Sequence, residues 1–533
     1  MRNFWLIAIV AACGSHSNGS GSDAASPDSS STIDGATCGT PSPGAPAEHV
    51  VTTGGSVHGA VSSTGMSYVY YDIPFAQPPV GSARFTAPAA ATCATAEIDG
   101  TTEGPICAQL GSDATTIEGS EDCLQLNVWA PVSATTARPV MVYVHGGANA
   151  AGSATDPLFD GRMLAESYGV LVVTINYRLG QLGFLASTAF ASEGVGNGDF
   201  GLLDQILALQ WVQQNIAGFG GDPSNVTVFG ESAGGRDVCS LVATPMAAGL
   251  FARAIMESGS CSALPTLTAA EATGAAYVTA AGCAATSDVA SCLRALPLAT
   301  AIQTNAPDPS ILVSTLYQPA IDGSVQPTQP VTAIAAGTHN GSAFIIGANA
   351  DETGAAVPAV PDGSAYEALV DEQFGSADGA KVLAQYPAAN YATPRAAYVQ
   401  VTTDSRFVCP SREFARASLA GGLATYRYLF AYAPTPVGAV HGIELPFVFG
   451  NFGAITGANG NPYQPTTTDL AVSAATQADW VSFASGGAPT GTPAWPLYTS
   501  ADPAREYDAT PTVVTGIRTA NCDFWQTLES ASL

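Results

Sequence analysis

Apolar runs alternate with amphipathic stretches along most of the chain. Runs rich in β-branched and aromatic residues predict buried strands at positions 139–144, 169–178, 225–229, 253–257, 344–347 and 425–432. Between the second and third of these runs, residues 201–217 place leucine, isoleucine, valine and tryptophan at helical spacing, which predicts an amphipathic helix. Strands that alternate with helices indicate an α/β architecture, in which a mostly parallel central sheet is flanked by helices on both faces.

The predicted strand at 225–229 runs into the sequence Gly-Glu-Ser-Ala-Gly, which has Ser232 at its centre. Residues from Ala233 onward can form a helix, so Ser232 falls on a strand-to-helix turn. This pattern is typical of a nucleophile elbow, in which small neighbours allow a sharp turn to present the serine hydroxyl. The first N–H groups of the following helix would point at a reacting carbonyl. We therefore expect Ser232 to be a nucleophile and the Ala233 N–H to be an oxyanion donor.

A second glycine-containing loop follows an earlier predicted strand. The apolar run at 139–144 ends in His-Gly-Gly-Ala-Asn, where glycines turn the chain without a side chain in the way. Such a loop can aim two successive N–H groups at an oxyanion, or it can simply reverse the chain. Because a nucleophile elbow lies downstream in the same chain, we expect Gly147 and Ala148 to complete an oxyanion hole with Ala233.

A serine nucleophile needs a histidine base, and the base needs a carboxylate that fixes its tautomer. His441 follows the predicted strand at 425–432, and a loop just past a sheet strand suits this base. Asp351 and Glu352 both follow the strand at 344–347, so either of them can supply the acid. The other histidines are expected in the N-terminal segment, ahead of the core strands, in the glycine loop as a structural residue, and in a polar turn: His16, His49, His58, His145 and His339.

The N-terminus resembles an export signal. Residues 1–13 combine a positive start, an apolar run too short to span a bilayer permanently, and small residues that lead into Cys13. Val-Ala-Ala-Cys resembles a bacterial lipobox, so we expect a lipoprotein-type signal peptide with lipidation at Cys13; a plain signal peptide is the alternative. Residues 14–46 are rich in serine, glycine, alanine and proline, which predicts a flexible tether. One catalytic domain would then occupy residues 47–533.

Composition narrows the class of partner. Sixteen Lys and Arg residues against 43 Asp and Glu residues leave a formal net charge of −27, which excludes nucleic acid and electrostatic docking on anionic lipid. Eleven cysteines minus Cys13 leave ten, an even number that suits disulfides in an oxidising compartment. Spacing suggests the pairs Cys107–Cys123 and Cys283–Cys292, and proximity suggests Cys239–Cys261. The chain has no C-x-x-C pair and no histidine cluster, so no metal site is expected.

Several segments share one set of motifs: IPFAQPPVGSARF, SEDCLQLNVWAP, VYVHGGA, the stretch from GNGDFG to GESAGG, ANADETG and HGIELPFVFG. Together they resemble the type B carboxylesterase family, which also contains cholinesterases and fungal lipases. The resemblance runs from about residue 50 to the C-terminus. It implies an α/β-hydrolase fold that hydrolyses carboxylic esters through an acyl-enzyme, with no metal or organic cofactor.

Carried over residue by residue, the resemblance makes Ser232 the nucleophile, His441 the base and Glu352, rather than Asp351, the acid. It assigns the oxyanion hole to the N–H groups already named, those of Gly147, Ala148 and Ala233. It also supports the disulfides Cys107–Cys123, Cys283–Cys292 and Cys409–Cys522. With Cys239–Cys261 assigned by proximity, elimination leaves Cys38–Cys93 as the fifth pair.

Three features depart from the family pattern. Asn149 stands where the family more often has an aromatic residue, and we expect it to alter the pocket wall. Arg236 and Asp237 replace the usual small residues after the elbow, and the sequence assigns them no role. The loop between Cys107 and Cys123 lacks the tryptophan that binds quaternary ammonium in cholinesterases, which argues against choline esters.

The leading hypothesis is an exported serine carboxylesterase that acts on neutral small-molecule or lipid esters. A non-catalytic adhesion or binding protein is one alternative, because the family includes members that kept the fold and lost the serine. Amide or carbamate hydrolysis by the same triad is another. We expect a monomer that is secreted or held at the bacterial outer membrane, with membrane contact only through lipid on Cys13.

Overall fold

The computed structural model describes residues 38–39 and 41–532, apart from 134–136, 195, 261–263, 309, 313–315, 435–437 and 458–459. The predicted signal peptide with Cys13, the tether up to residue 37, and Cys261 of the predicted pair Cys239–Cys261 therefore lie outside the described residues. Among the helices in the described ranges, none combines the length and the apolar character needed to cross a bilayer.

The strands in the described part of the chain are short except at the centre of the main sheet. They are β1 (His49–Thr52), β2 (Gly55–His58), β3 (Ala60–Val61), β4 (Ser67–Pro74), β5 (Ile98–Asp99), β6 (Gln109–Leu110), β7 (Ile117–Glu118), β8 (Gln125–Pro131), β9 (Arg138–Val144), β10 (Leu171–Ile175), β11 (Gly221–Glu231), β12 (Arg253–Glu257), β13 (Ala343–Asn349), β14 (Ala424–Phe430), β15 (Pro503–Tyr507) and β16 (Thr512–Thr515).

The α-helices lie mainly between the strands of the second half of the sheet. They are α1 (Arg162–Tyr168), α2 (Gly180–Phe184), α3 (Phe200–Asn215), α4 (Ala233–Ala243), α5 (Leu267–Ala280), α6 (Val289–Arg294), α7 (Leu298–Gln303), α8 (Pro330–Ala335), α9 (Gly363–Gln385, broken at Gly375), α10 (Pro394–Thr403), α11 (Cys409–Gly421), α12 (Leu445–Phe449), α13 (Thr467–Gly486) and α14 (Thr519–Ser532). A π-helical segment, Asp404–Val408, joins α10 to α11.

One twisted sheet organises the molecule. Within the described residues it has eleven strands in the order β16-β15-β14-β13-β12-β11-β9-β10-β8-β4-β3. The strands from β15 to β10 in this order, including β9, run parallel to one another, whereas the strands at both edges, β16 on one side and β8, β4 and β3 on the other, pair antiparallel. This confirms the predicted mostly parallel sheet. The carboxyl ends of β11, β13 and β14 therefore meet at one edge of the sheet, which is where a parallel α/β fold places its site.

Both faces of the sheet are covered, as the continuous apolar runs predicted. In β9, Val140, Val142 and Val144 pack into one core cluster, and the intervening Met141 and Tyr143 pack into another. Alternate side chains of a strand point to opposite faces, so two clusters on one strand mean two buried faces. Helices α3 and α4 contribute to the first cluster, and α1, α12 and α13 contribute to the second.

The structure shortens some predicted elements. The predicted strand at 253–257 matches β12, but that at 425–432 ends as β14 at Phe430. The chain on either side of Cys283 forms two helices, α5 and α6. They are separated by a turn in which Gly282 has a φ of 76°. A left-handed glycine ends a helix because it satisfies the last carbonyls without a side-chain clash.

Disulfide bonds hold the periphery of the fold. They join Cys38 to Cys93, Cys107 to Cys123, Cys283 to Cys292 and Cys409 to Cys522, the same partners as the predicted pairs. Residues near Cys38 are also hydrogen-bonded to the domain: the Gly39 N–H donates to the Thr52 carbonyl, and the Gly44 N–H donates to the Ala217 carbonyl. The last residues of the predicted tether are thus attached to the folded body. Disulfides in this number are typical of proteins that fold in an oxidising compartment.

Candidate active site

Ser232 lies on the sharp turn between β11 and α4. Its backbone has a φ of 59° and a ψ of −121°, a conformation that non-glycine residues rarely adopt. A Cβ at Gly230 would lie 2.7 Å from the backbone of Gly234, and a Cβ at Gly234 would lie 2.1 Å from the Val144 carbonyl oxygen. Because these approaches exclude side chains, the two glycines let the turn close against β9.

Three side chains from different strand ends meet at this turn. His441 Nε2 is 2.7 Å from Ser232 Oγ, and His441 Nδ1 is 2.6 Å from Glu352 Oε2. Glu352 is fully buried, and its other carboxylate oxygen accepts the Asn349 N–H at 2.7 Å. The His441 N–H also donates to the Glu352 carbonyl, so the histidine loop is fixed to the acid by main chain as well as side chain. The structure therefore brings together the predicted nucleophile, base and acid.

The two adjacent carboxylates that the local pattern could not separate have different partners. Glu352 faces His441, whereas Asp351 Oδ2 accepts the Ala439 N–H at 3.1 Å. His339 precedes β13 and Glu352 follows it, so His339 lies at the opposite end of the strand from the acid. Of His339 and His441, only His441 contacts Ser232 within the described residues.

The glycine loop after β9 lies directly against the elbow. A Cβ at Gly146 would come within 3.0 Å of Ser232 Cβ. Gly147 and Ala148 have φ values of 110° and 57°, and no hydrogen-bond acceptor among the described residues is recorded for either N–H group or for the N–H of Ala233. These are the three predicted oxyanion donors. A turn that leaves backbone donors open is suited to receiving a charged oxygen.

Comparison with known proteins identifies the family. Residues 46–525 match the profile of the Carboxylesterase family, which is most of the chain. The chain belongs to the carboxylesterase family. A para-nitrobenzyl esterase of Bacillus subtilis (strain 168) is 38% identical over 443 residues, which cover 80% of this carboxylesterase and 88% of that protein. A cocaine esterase of Homo sapiens is 33% identical over 520 residues, which cover 89% of each chain.

The fold comparison agrees with the sequence comparison. A solved carboxylesterase of Geobacillus stearothermophilus superposes with a TM-score of 0.79 at 31% identity, covering 90% of this chain and 100% of that one. The α/β-hydrolase fold implied by the motifs is thereby confirmed. With these relatives, the protein is a serine carboxylic-ester hydrolase, and the non-catalytic alternative is set aside.

The two departures from the family pattern that flank the site are bonded to each other. Asn149 Nδ2 in the glycine loop donates to Asp237 Oδ1 in α4 at 3.1 Å, and Gln205 Nε2 in α3 donates to Asp237 Oδ2 at 2.6 Å. Tyr177 OH lies 3.1 Å from Asn149 Oδ1. Asn149 and Asp237 are fully buried, and the expected effect of Asn149 on the pocket wall stays a prediction. A buried carboxylate needs donors around it, and the Asn149 side-chain amide supplies one.

The other residue of the departing pair points elsewhere. Arg236 Nη1 donates to Gln318 Oε1 at 2.7 Å. Since successive helix residues lie about 100° apart, Arg236 and Asp237 face different neighbours, as their i, i+1 spacing requires. Burial lowers the pKa of the Arg236 guanidinium, and the adjacent Asp237 carboxylate opposes that shift. Arg236 thus bonds α4 to Gln318, whereas Asp237 bonds α4 to the glycine loop and to α3.

His145 has the structural role that was predicted for it. Its Nδ1 is 2.9 Å from the Gly146 carbonyl, and its ring stacks on Tyr177 with centroids 4.6 Å apart. Burial lowers the pKa of His145 to about 4, against the hydrogen bond to Gly146. The imidazole is therefore neutral at neutral pH and supports the loop without adding charge.

A group of buried glutamates behind the triad was not predicted. Glu231 Oε1 is 3.3 Å from His441 Nε2, Glu444 accepts hydrogen bonds from Ser258 and Asn349, and Glu257 accepts the Trp480 indole N–H at 2.9 Å. Glu231 and Glu257 each follow an apolar strand run, and Glu444 follows His441 in the chain. These positions, at strand ends or beside His441, were the only indication in the sequence that the three glutamates lie near the site. The sequence did not show that all three side chains are buried.

The charges of this group act on the base. Burial by itself would lower the pKa of His441, but the negative charges of Glu231 and Glu352 outweigh burial and raise the pKa to about 10. Burial raises the pKa of Glu231 to about 8, although the positive charge of His441 opposes that shift. The Phe407 ring, with its centroid 5.0 Å from that of His441, covers the imidazole. The carboxylesterase thus stabilises the imidazolium that forms when the base accepts a proton.

One expectation about histidines is wrong. His49 and His58 lie in β1 and β2, ahead of the main sheet as expected, but the chain was expected to contain no histidine cluster, and their ring centroids lie 4.7 Å apart in a stack. Glu48 joins them, and the ligand atoms of the three side chains lie within 4.8 Å of one another. The hairpin between β1 and β2 brings these residues together.

Proposed function

We propose that Ser232 is the nucleophile, His441 the general base and Glu352 the acid that orients it, with Gly147, Ala148 and Ala233 as the oxyanion donors. The observation that carries this proposal is the continuous hydrogen-bonded relay from Ser232 Oγ through both ring nitrogens of His441 to Glu352. Such a relay gives His441 the tautomer that can accept a proton from the serine.

The reaction follows from this geometry. His441 Nε2 takes the hydroxyl proton while Ser232 Oγ bonds to the ester carbonyl carbon, and the carbonyl oxygen becomes an oxyanion held by the three N–H groups. Collapse breaks the ester C–O bond, and the leaving alcohol takes the proton from His441. A water molecule then gives a proton to His441 and attacks the acyl-enzyme, which releases the carboxylic acid and returns the proton to Ser232.

The charge distribution supports neutral esters as the substrate class. Three buried glutamates, Glu231, Glu352 and Glu444, act electrostatically on His441, and the whole chain carries a formal net charge of −27. An anionic acyl group would meet that negative field, whereas a neutral acyl chain would not. We therefore place neutral small-molecule or lipid esters ahead of charged ones.

The test compares Ser232→Ala with wild type on p-nitrophenyl acetate, butyrate, octanoate and palmitate. Loss of the nucleophile is expected to lower kcat by about 10⁴-fold or more, because the triad acts as a unit. Ser376→Ala, an exposed serine in α9, is the matched control and should leave kcat unchanged. Full ester hydrolysis by a folded Ser232→Ala protein would refute the assignment.

Two further arms of the same assay separate the alternatives. A p-nitroanilide of the best acyl group tests amide hydrolysis, and a p-nitrophenyl hemisuccinate tests an anionic acyl group. We expect the ester to be turned over faster than the anilide and the neutral ester faster than the hemisuccinate. A preference for the anilide, or for the hemisuccinate, would overturn the corresponding part of the proposal.

We also propose that the chain is exported and lipidated at Cys13, that residues 14–37 tether it, and that it acts as a monomer. The lipobox-like residues before Cys13 and the disulfides support export. Expression in a bacterium fed an alkyne-labelled fatty acid should label wild type but not Cys13→Ser, and the detergent-released protein should elute at the mass of one chain. Absence of label on the wild type would leave a plain signal peptide as the better account.

A further inference from the structure

The hairpin that begins the folded body carries two imidazoles on the same side. In the antiparallel register of β1 and β2, His49 lies directly opposite His58. The Gly59 N–H donates to the Glu48 carbonyl, so the neighbouring positions 48 and 59 form a hydrogen-bonded pair. Pairs alternate along an antiparallel ladder, which makes His49 and His58 a non-hydrogen-bonded pair, the kind in which side chains lie closest. The two rings are nearly parallel, at 13°.

Carboxylates approach both imidazoles. His49 Nδ1 is 2.8 Å from Glu97 Oε1, and His58 Nε2 is 3.3 Å from Glu48 Oε1. Ser56 Oγ donates to the same oxygen of Glu97 at 2.9 Å, which holds that carboxylate towards the hairpin. The ligand atoms of Glu48, His49 and His58 therefore lie within 4.8 Å of one another, and the Glu97 carboxylate lies beside this group, in contact with His49.

The backbone that carries these donors is held in place. β2 pairs with β5 immediately after Glu97, and the Gly100 N–H donates to the His58 carbonyl at 2.7 Å. The disulfide between Cys38 and Cys93 fixes the segment that leads into Glu97. Because hydrogen bonds and the disulfide already hold this backbone, ligand binding needs only side-chain rotation. The histidine side chains are half-exposed, so a ligand can reach them from solvent.

We propose that His49, His58, Glu48 and Glu97 form a binding site for a divalent transition-metal ion such as Zn²⁺, separate from the catalytic triad. Imidazole nitrogens and carboxylate oxygens are the donors that Zn²⁺ takes in four-coordinate sites. Ligand atoms around tetrahedral Zn²⁺ lie about 3.3 Å apart, given bond lengths of about 2.0 Å. The present spread of 4.8 Å for Glu48, His49 and His58 closes by a small rotation of exposed side chains.

The ion would crosslink the hairpin to the β5 segment. Binding would replace the imidazole–carboxylate contacts by metal–ligand bonds and release any proton held between them. Hard cations such as Mg²⁺ prefer all-oxygen sites and should bind poorly, whereas Cu²⁺ should bind more tightly than Zn²⁺. The expected role is structural, since no catalytic side chain belongs to the site.

The test is calorimetric titration of Zn²⁺ into the exported chain, purified without a histidine tag. We expect one Zn²⁺ per molecule at pH 7.5 and no response to Mg²⁺. His49→Gln and His58→Gln should each weaken Zn²⁺ binding by more than about tenfold, since even changes outside the ligand set cost that much. His339→Gln, on the loop before β13, is the matched control and should bind as wild type does.

The readouts make the proposal falsifiable without reference to the esterase assay. A Zn²⁺-dependent rise in the melting temperature of wild type and His339→Gln, absent from His58→Gln, would support it. Stoichiometric binding that survives in both His49→Gln and His58→Gln would place the ion elsewhere and overturn the proposal. Absence of binding to wild type at about 1 mM Zn²⁺, which is of the order of the dissociation constants of the weakest extracellular calcium-binding modules, would also overturn it. Both variants should retain ester hydrolysis, because Ser232, His441 and Glu352 are untouched.

Discussion

At the Ser232 hydroxyl, His441 faces two carboxylates. Glu352 contacts Nδ1, and Glu231, the residue before the nucleophile, lies near Nε2 on the side that receives the proton. Both carboxylates favour the charged imidazolium, so both help the proton leave Ser232. They also hold the free base in its protonated form to a higher pH, where it cannot accept a proton.

Glu231→Gln should shift the acid limb of the kcat/KM–pH profile to lower pH. Activity needs neutral His441 and rises as pH passes through its pKa, which the Glu231 charge helps to raise. Removing a neighbouring charge changes such a pKa by about 1 to 3 pH units, so the limb should move by about that amount. The profile is measured with the preferred p-nitrophenyl ester between pH 5 and 10.

The comparison variant is Glu367→Gln, which removes an exposed carboxylate of α9 and should leave the limb in place. The direction in which the acid limb of the kcat/KM–pH profile shifts tests the role of Glu231. An acid limb that stays put or moves to higher pH in Glu231→Gln would show that Glu231 does not control the protonation of His441.

At the scale of elements, a buried network joins the glycine loop to the helix that follows the nucleophile. Asp237 of α4 receives hydrogen bonds from Asn149 of the loop and Gln205 of α3. The Gly180 N–H also donates to the Asn149 carbonyl, which fixes the loop from the other side. The loop carries two of the proposed oxyanion donors and α4 carries the third, so this network sets the distance between them. Oxyanion donors stabilise charge only where they already point at it.

Asp237→Ala should therefore lower kcat by about 10 to 100-fold with little change in KM. It leaves the Asn149 and Gln205 amides without an acceptor, and loss of a single oxyanion donor costs about 10²- to 10³-fold. Asp237→Asn, which keeps one oxygen acceptor, should recover part of the loss. Steady-state kinetics on the ester separate the two parameters, with Asp378→Asn as an exposed control.

A loss that appears in KM alone would contradict this positioning role. It would mean that the network shapes substrate binding rather than the stabilisation of the transition state. Circular dichroism on each variant separates a loss of kcat from unfolding, because we expect Asp237→Ala to stay folded while its kcat falls.

Local pattern predicted the elements that carry the triad but not the contacts between them. The strand at 253–257 and the elbow at Ser232 follow from apolar runs and small residues, which are local properties. The partnership of Asn149 with Asp237 spans 88 residues, and that of Glu231 with His441 depends on how three strand ends meet. The stacking of His49 on His58 depends on a hairpin register that no local pattern specified. Tertiary packing decides such contacts, so they had to come from the structure.

Across the described part of the molecule, several buried carboxyl groups take up protons more readily than they would in an unfolded chain. Burial raises the pKa of Glu231 to about 8, that of Glu444 to about 7, with the Glu352 charge adding to the shift, and that of Asp237 to about 6. Burial also holds the pKa of Glu257 and Asp199 well above the ordinary range. His441, with its pKa raised, loses a stabilising charge only at high pH. All these groups favour the folded state more at lower pH.

The carboxylesterase should accordingly become less stable as pH rises from 6 to 9. A carboxyl whose folded pKa exceeds its unfolded value binds more protons when folded, so stability falls as pH rises through that interval. Each extra proton held by the folded state contributes about 1.4 kcal/mol per pH unit. The melting temperature, followed by calorimetry, should fall over this range and fall less steeply in Glu444→Gln. A melting temperature that is constant or rises towards pH 9 would contradict this account.

The disulfide between Cys38 and Cys93 also determines how mechanical load would enter the domain. Tension on the chain upstream of Cys38 passes through the sulfur–sulfur bond to Cys93 and leaves residues 39–92 outside the load path. The hairpin of β1 and β2, together with β3 and β4 at the edge of the main sheet, lies within that bypassed loop. A protein held by its N-terminus at a membrane would thus resist shear without stretching its first strands, and reduction of this one bond would expose them to the pull.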